Sequence, residues 1–151
     1  MMNGFVSPNK DEIDELIYLK GSILRIGLNK LGLYVGQPLM LDIVTSNPGL
    51  NQKILAKLAG IKPSTVNVML NRMAKNDLVE IKKNEKNSKL SQVFATNKGK
   101  ELHEKSMQFK QKLDKIAYKD LSRDEIETFK NILSKINNNF KEELEKEEAS
   151  K

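Results

Sequence analysis

The stretch Gln52–Met73, QKILAKLAGIKPSTVNVMLNRM, constrains the rest of the chain most. Ile54, Leu55, Leu58 and Ala59 form an apolar stripe at helical spacing, and Val66, Leu70 and Met73 form a second. Gly60-Ile61-Lys62-Pro63 separates them. Glycine tolerates the left-handed backbone at a helix end, and proline suits the first turn of the helix that follows. Ala56, four residues before Gly60, is small enough to let two helices cross steeply, and Val66 and Met69 can fill the corner. These features predict a helix-turn-helix whose second helix lies in a DNA major groove, with an ordinary helical hairpin inside a core as the alternative.

Charge favours the first reading. Between Asp42 and Asp77 there is no acidic residue, while Lys53, Lys57, Lys62, Arg72 and Lys75 are basic. Extending to Lys98 gives ten basic residues against three acidic ones, a net of +7, when the whole chain carries +6. The two flanks therefore nearly cancel. Phosphate neutralisation requires this kind of focused excess.

With 151 residues the chain is long enough for a real core. No apolar run approaches a membrane span, and the N-terminus lacks a signal-peptide layout, so the expectation is a cytoplasmic protein with no membrane partner. The absence of cysteine excludes disulfides and thiol-ligated metal, and one histidine, His103, cannot build a multi-histidine site. His103 is expected to be exposed on a long helix. No nucleophile–base pair or phosphate-cradling glycine loop is present, so neither an enzyme nor a cofactor is expected.

The remaining elements follow in order. Ser7-Pro8 is a plausible helix start, and a helix to about Leu31 places Ile13, Leu16, Ile17, Leu24 and Leu31 on one face. Gly21 and Gly27 within it each cost roughly 1 kcal/mol against alanine, which close approach of another helix, or a bend, would explain. A linker, 32–36, leads to a short helix from Pro38 to about Ser46 that buries Leu39, Ile43 and Met40. Asn47-Pro48-Gly49 is a turn, and Asn51 caps the first motif helix. Asn76-Asp77 ends the second motif helix with residue types that accept left-handed geometry. Segments 78–82 and 90–95 around the polar tip NEKNSK predict a β-hairpin, which after a helix-turn-helix is naturally a wing resting on phosphates or in the minor groove. Thr96 caps a helix to about Lys119 with Leu102, Phe109, Leu113 and Ile116 on one face. Ser122-Arg123-Asp124-Glu125 is a capping box before a final helix carrying Ile126, Phe129, Leu133, Ile136, Phe140 and Leu144.

The fold class is thus mainly α with a small β-hairpin wing, a single chain with a winged helix-turn-helix over 38–95. The helices over 7–31 and 97–147 carry more apolar surface than that unit can cover. They predict a homodimer in which each chain's helices bury the other's, with a self-contained bundle as the alternative. Two recognition helices about 34 Å apart would then meet successive major grooves.

Nearly the whole chain resembles the MarR family of winged helix-turn-helix regulators. The likeness is carried by ILAKLAGIKPSTVNVMLNRMAKNDLVE and by VFATNKGKEL after the hairpin, in that order and spacing. Family wings usually carry an Asp-x-Arg or Asp-Arg-Arg element, whereas Asn87, Ser88 and Lys89 stand at the matching positions here. Lys89 keeps the charge without arginine's planar fork, which favours phosphate over paired base contacts. Asp77 replaces the family's usual glycine. The resemblance implies a repressor occluding a promoter at a pseudo-palindromic site, with a small anionic or phenolic effector bound between the dimer helices and the DNA-reading unit; constitutive DNA binding without an effector is the alternative.

On helix geometry, Ser64, Thr65, Asn67, Val68, Asn71 and Arg72 face away from the core side formed by Val66, Met69, Leu70 and Met73. Ser64 and Thr65 can donate to phosphate, Asn67 can read adenine through paired hydrogen bonds, and Val68 can touch a thymine methyl. Arg72 reads guanine or grips the backbone. Lys82, Lys83, Lys86 and Lys89 supply the wing's phosphate contacts. The competing function is a winged-helix module whose basic face meets a protein partner or RNA, which steep salt dependence together with a preferred duplex site would rule out.

Overall fold

A computed structural model describes residues 11–83 and 91–150 of the chain. Asp11 starts α1 (Glu12–Lys30): its carboxylate accepts from the Ile13 N–H at 3.0 Å, and Glu12, Asp14 and Glu15 occupy the positive end of the helix dipole. The expected cap at Ser7-Pro8 lies outside the described residues. The helix proper begins at Glu12, because Asp11 already has extended backbone.

Next come α2 (Gln37–Ser46), α3 (Gln52–Ala59) and α4 (Pro63–Lys75). Asn51 caps α3 by accepting from the Ile54 N–H at 3.0 Å. After α4, Asp77 takes up left-handed backbone at φ 58°, as its residue type allows. Strands β1 (Val79–Lys83) and β2 (Ser91–Ala95) pair antiparallel with Val79 opposite Ala95 and Ile81 opposite Val93. Leu50, just before α3, also bridges to Val93, its carbonyl accepting from the Val93 N–H at 3.0 Å. The hairpin is thereby tied to the helix-turn-helix. Helices α5 (Asn97–Ala117) and α6 (Arg123–Ala149) complete the described elements.

The contacts divide the chain into two compact units, Met1–Gln111 and Lys112–Lys151. In the first, Leu28, Leu33, Met40, Leu41, Val44, Leu55, Ala56, Val66, Leu70, Met73, Leu78, Val79 and Val93 form the core. The α2 face differs from expectation: Leu39 is exposed, and Met40, Leu41 and Val44 are buried. The helix buries Gln37 at its first turn, which sets the register to 37, 40/41, 44. Gln37 is satisfied there, since its Oε1 accepts from the Tyr34 N–H at 2.9 Å. In α3, Leu55 and Ala56 are buried while Ile54 and Leu58 are exposed, so the buried stripe of this two-turn helix is narrower than its apolar content. Ile13, Leu16 and Ile17 of α1 are likewise exposed, as is Ile116 of α5. Gly27 is explained by close approach, because a Cβ there would overlap the Phe109 ring; Gly21 meets nothing. His103 is not the exposed residue expected: its side chain is 17% exposed and its Nε2 lies 3.6 Å from Asp42 Oδ1.

The start of α5 is fastened to the end of α4. The Thr96 hydroxyl donates to the Asp77 carbonyl at 2.6 Å and accepts from the Gly99 N–H at 2.9 Å. Lys98 Nζ donates to the Asn76 carbonyl at 2.9 Å, and Gly99 is buried against the Leu78 carbonyl.

In the second unit the expected capping box is formed: the Ser122 hydroxyl accepts from the Glu125 N–H at 3.3 Å, and the Ser122 N–H donates to Glu125 Oε2 at 2.8 Å. Tyr118 meets Phe129 edge to face with ring centroids 6.5 Å apart. Hydrogen bonds from Ser122, its backbone N–H first, hold the Glu125 carboxyl below the usual carboxylate range. A lowered folded-state value stabilises above the unfolded-state value and is lost as pH falls through the folded one. In thermal melts, Glu125→Gln should therefore be less stable than the parent at neutral pH, and the two should converge in acid below the ordinary carboxylate range. A gap unchanged from neutral to acid pH would exclude this linkage.

Candidate nucleic-acid interface

Gly60, at φ 65°, turns the chain out of α3, and Ile61 follows half-buried with its N–H donating to the Ala56 carbonyl at 3.1 Å. Pro63 then opens α4. No side chain caps α4, so the first-turn N–H groups around Ser64 and Thr65 are available to an anion. With Val66, Leu70 and Met73 buried, the helix turns Ser64, Thr65, Asn67, Val68, Asn71 and Arg72 outward, and all six are exposed. The structure brings the expected recognition residues onto one open face.

Two residues that sequence reasoning missed join them. Gln52, at the start of α3, donates from Nε2 to Asn67 Oδ1 at 3.4 Å, and Asn71 Nδ2 donates to the same oxygen at 3.3 Å. Tyr34, treated as part of a linker, lies with its ring 5.3 Å from the Arg72 guanidinium carbon, a cation–π contact. An exposed aromatic residue in a short linker was the available signal for Tyr34. Nothing in the sequence marks Gln52. A cavity of about 430 Å³ opens between Tyr34–Val35 and Ser64, Thr65, Val68 and Arg72.

On the hairpin, Lys82 and Lys83 are exposed. Lys82 Nζ is 3.2 Å from Glu80 Oε2 and 5.5 Å from the centre of the Phe94 ring, so its charge is partly engaged. Lys86 and Lys89, with Asn87 and Ser88, lie outside the described residues. Among the described residues no group of three or more His, Cys, Asp or Glu side chains is placed to hold a metal, and no helix is long and apolar enough to cross a membrane.

This arrangement has close relatives. The MarR family model matches residues 33–90, the span from the α1–α2 linker to the hairpin. The solved structure of the transcriptional regulator SlyA is 27% identical, with a TM-score of 0.72, covering 87% of this chain and 93% of that one. Over residues 33–90 the chain belongs to the MarR family. A Bacillus subtilis HTH-type transcriptional regulator, YybA, is 25% identical over 134 residues, 89% of each protein. A MarR family transcriptional regulator from Listeria monocytogenes, solved in complex with 26mer DNA, is 26% identical with a TM-score of 0.69, covering 89% of this chain and 92% of that one. The present protein is thus a MarR-family transcriptional regulator with a winged helix-turn-helix fold.

Proposed function

We propose that this MarR-family protein is a homodimeric repressor that reads a pseudo-palindromic duplex operator through α4. The observation that carries the reading is the outward row from Ser64 to Arg72, set in a stretch without acidic residues from Asp42 to Asp77. The Listeria relative's complex with 26mer DNA supports duplex DNA as the partner. Ser64, Thr65 and the open N–H groups of α4 hold phosphate, Asn67, Val68, Asn71 and Arg72 face the bases, and Lys82, Lys83, Lys86 and Lys89 add phosphate contacts from the wing.

Dimerisation draws support from both units taken singly. Ile17 and Tyr18 of α1 are 65% and 61% exposed, and Phe140 and Leu144 of α6 are 69% and 60% exposed. A second copy of the chain would cover such faces. A small-molecule effector draws support from a cavity of about 270 Å³ lined by Leu24, Leu28, Leu39, Asp42, Met107 and Lys110, apolar with one charge of each sign. A cytoplasmic location fits a regulator of transcription.

Selection from randomised duplex DNA at near-physiological salt tests the reading. An enriched inverted repeat with half-sites about one helical turn apart is expected. No enrichment would sink it and direct attention to a protein or RNA partner for the basic face. On the selected site, Lys83→Ala should weaken binding equally for all sequences and lower the log–log salt slope by about one per protomer. An unchanged slope would remove Lys83 from the interface.

A further inference from the structure

Tyr34 stands in the linker between α1 and α2 on a backbone fixed from both sides. Before it, Leu33 is buried in the core and its N–H donates to the Leu28 carbonyl at 2.9 Å. After it, the buried Gln37 binds it twice: the Tyr34 N–H donates to Gln37 Oε1 at 2.9 Å, and the Gln37 N–H donates to the Tyr34 carbonyl at 3.1 Å. Gly36, at φ 92°, brings the linker against α4, where an added Cβ would lie 3.1 Å from Met69 Cε. The linker thus has a fixed seat on the reading helix, yet the Tyr34 ring is 53% exposed. Core packing does not account for a ring left in that position. Its contact with Arg72, 5.3 Å from the guanidinium carbon to the ring centre, does.

An aromatic ring attracts a guanidinium through its quadrupole. Unlike a carboxylate, it does not pair with the fork of N–H donors, which stays available for guanine or phosphate. Arginine otherwise loses much rotamer freedom when it binds, and a ring that holds it beforehand lowers that cost. We propose that Tyr34 is a positioning residue for DNA reading: it holds the Arg72 guanidinium ready on the outer face of α4 and raises operator affinity without itself touching DNA. The inference rests on the proposal that α4 reads duplex DNA. It deepens that reading by bringing a residue from outside the helix-turn-helix into the reading surface.

The test is a double-mutant cycle on the selected operator, with dissociation constants for the parent, Tyr34→Phe, Tyr34→Leu, Arg72→Ala and Tyr34→Leu/Arg72→Ala. Circular dichroism verifies the fold of each variant. Arg72→Ala alone keeps the Asn67 contact, so its affinity stays above the non-specific floor and a further loss is visible. Tyr34→Leu should weaken binding about tenfold, roughly threefold for one unordered side chain in each of two half-sites. Tyr34→Phe, which keeps the ring, should stay within about twofold of the parent. In the Arg72→Ala background, Tyr34→Leu should change nothing. A loss that persists in that background, or one that Tyr34→Phe shares, would mean that Tyr34 acts on DNA or on the fold directly and would overturn the positioning role. Binding unchanged or tightened by Tyr34→Leu would overturn it too. In each of these cases DNA reading by α4 stands. If the parent enriches no site, or Arg72→Ala leaves operator affinity unchanged, the reading role of Arg72 and the role of Tyr34 fall together.

Discussion

Asn67→Ala/Arg72→Ala should abolish operator recognition without disturbing the fold. Both side chains are exposed and the α4 core contacts come from Val66, Leu70 and Met73, so neither truncation opens a cavity. Each base contact contributes about 1–3 kcal/mol of discrimination. In the proposed dimer, two contacts in each of two half-sites would give at least ~4 kcal/mol, close to a thousandfold in affinity for the selected site. The fall stops at the non-specific floor, which lysines and helix N-termini maintain through phosphates. Anisotropy titrations on the operator and on a scrambled duplex should therefore converge for the variant and differ widely for the parent. A loss under tenfold on the operator would remove both residues from the base-reading set.

Gly99→Ala should be a strongly damaging methyl addition at the joint between the DNA-reading unit and α5. A Cβ at position 99 would overlap the Leu78 backbone oxygen, and backbone cannot rotate aside as a side chain can. The Leu78 carbonyl also accepts from the Thr96 N–H at 3.1 Å, so displacing it disturbs the joint between α4 and α5 as well. Overpacking of this kind costs about 3 kcal/mol, which lowers the melting temperature by roughly 6–12 °C for a chain of this size. Lys100→Ala, one residue on and exposed, should stay within about 0.5 kcal/mol of the parent. Equal melting temperatures for the two variants would show that the joint is looser than described.

Legibility from sequence followed the range of the interactions. The α3–turn–α4 unit was readable because its signals are local: Asn51 as cap, Gly60 at φ 65°, Pro63 at the helix start, and the Val66–Leu70–Met73 stripe. Asp77 and the Ser122–Glu125 box were readable for the same reason. The α2 register was not, because a buried glutamine satisfied by a linker N–H looks like a surface residue in sequence. His103 was misjudged because Asp42, its neighbour in space, is 61 positions away. The bridge from Leu50 to Val93 and the Gln52–Asn67 contact also depend on chain segments meeting in three dimensions. In the candidate site, hydrophobic periodicity gave the outward face, but not the hydrogen bonds made across it.

Thr96 and Lys98 grip the carbonyls of Asp77 and Asn76 at the foot of α4. Mechanically, these two bonds couple the first turn of α5 to the end of the reading helix as a crank is coupled to its shaft. A ligand that rotated the start of α5 would carry α4 with it, and the displacement would grow with distance from the pivot. In the proposed dimer, regulation would need no unfolding of the reading head, because tilting its mount would take the two heads out of step with the duplex.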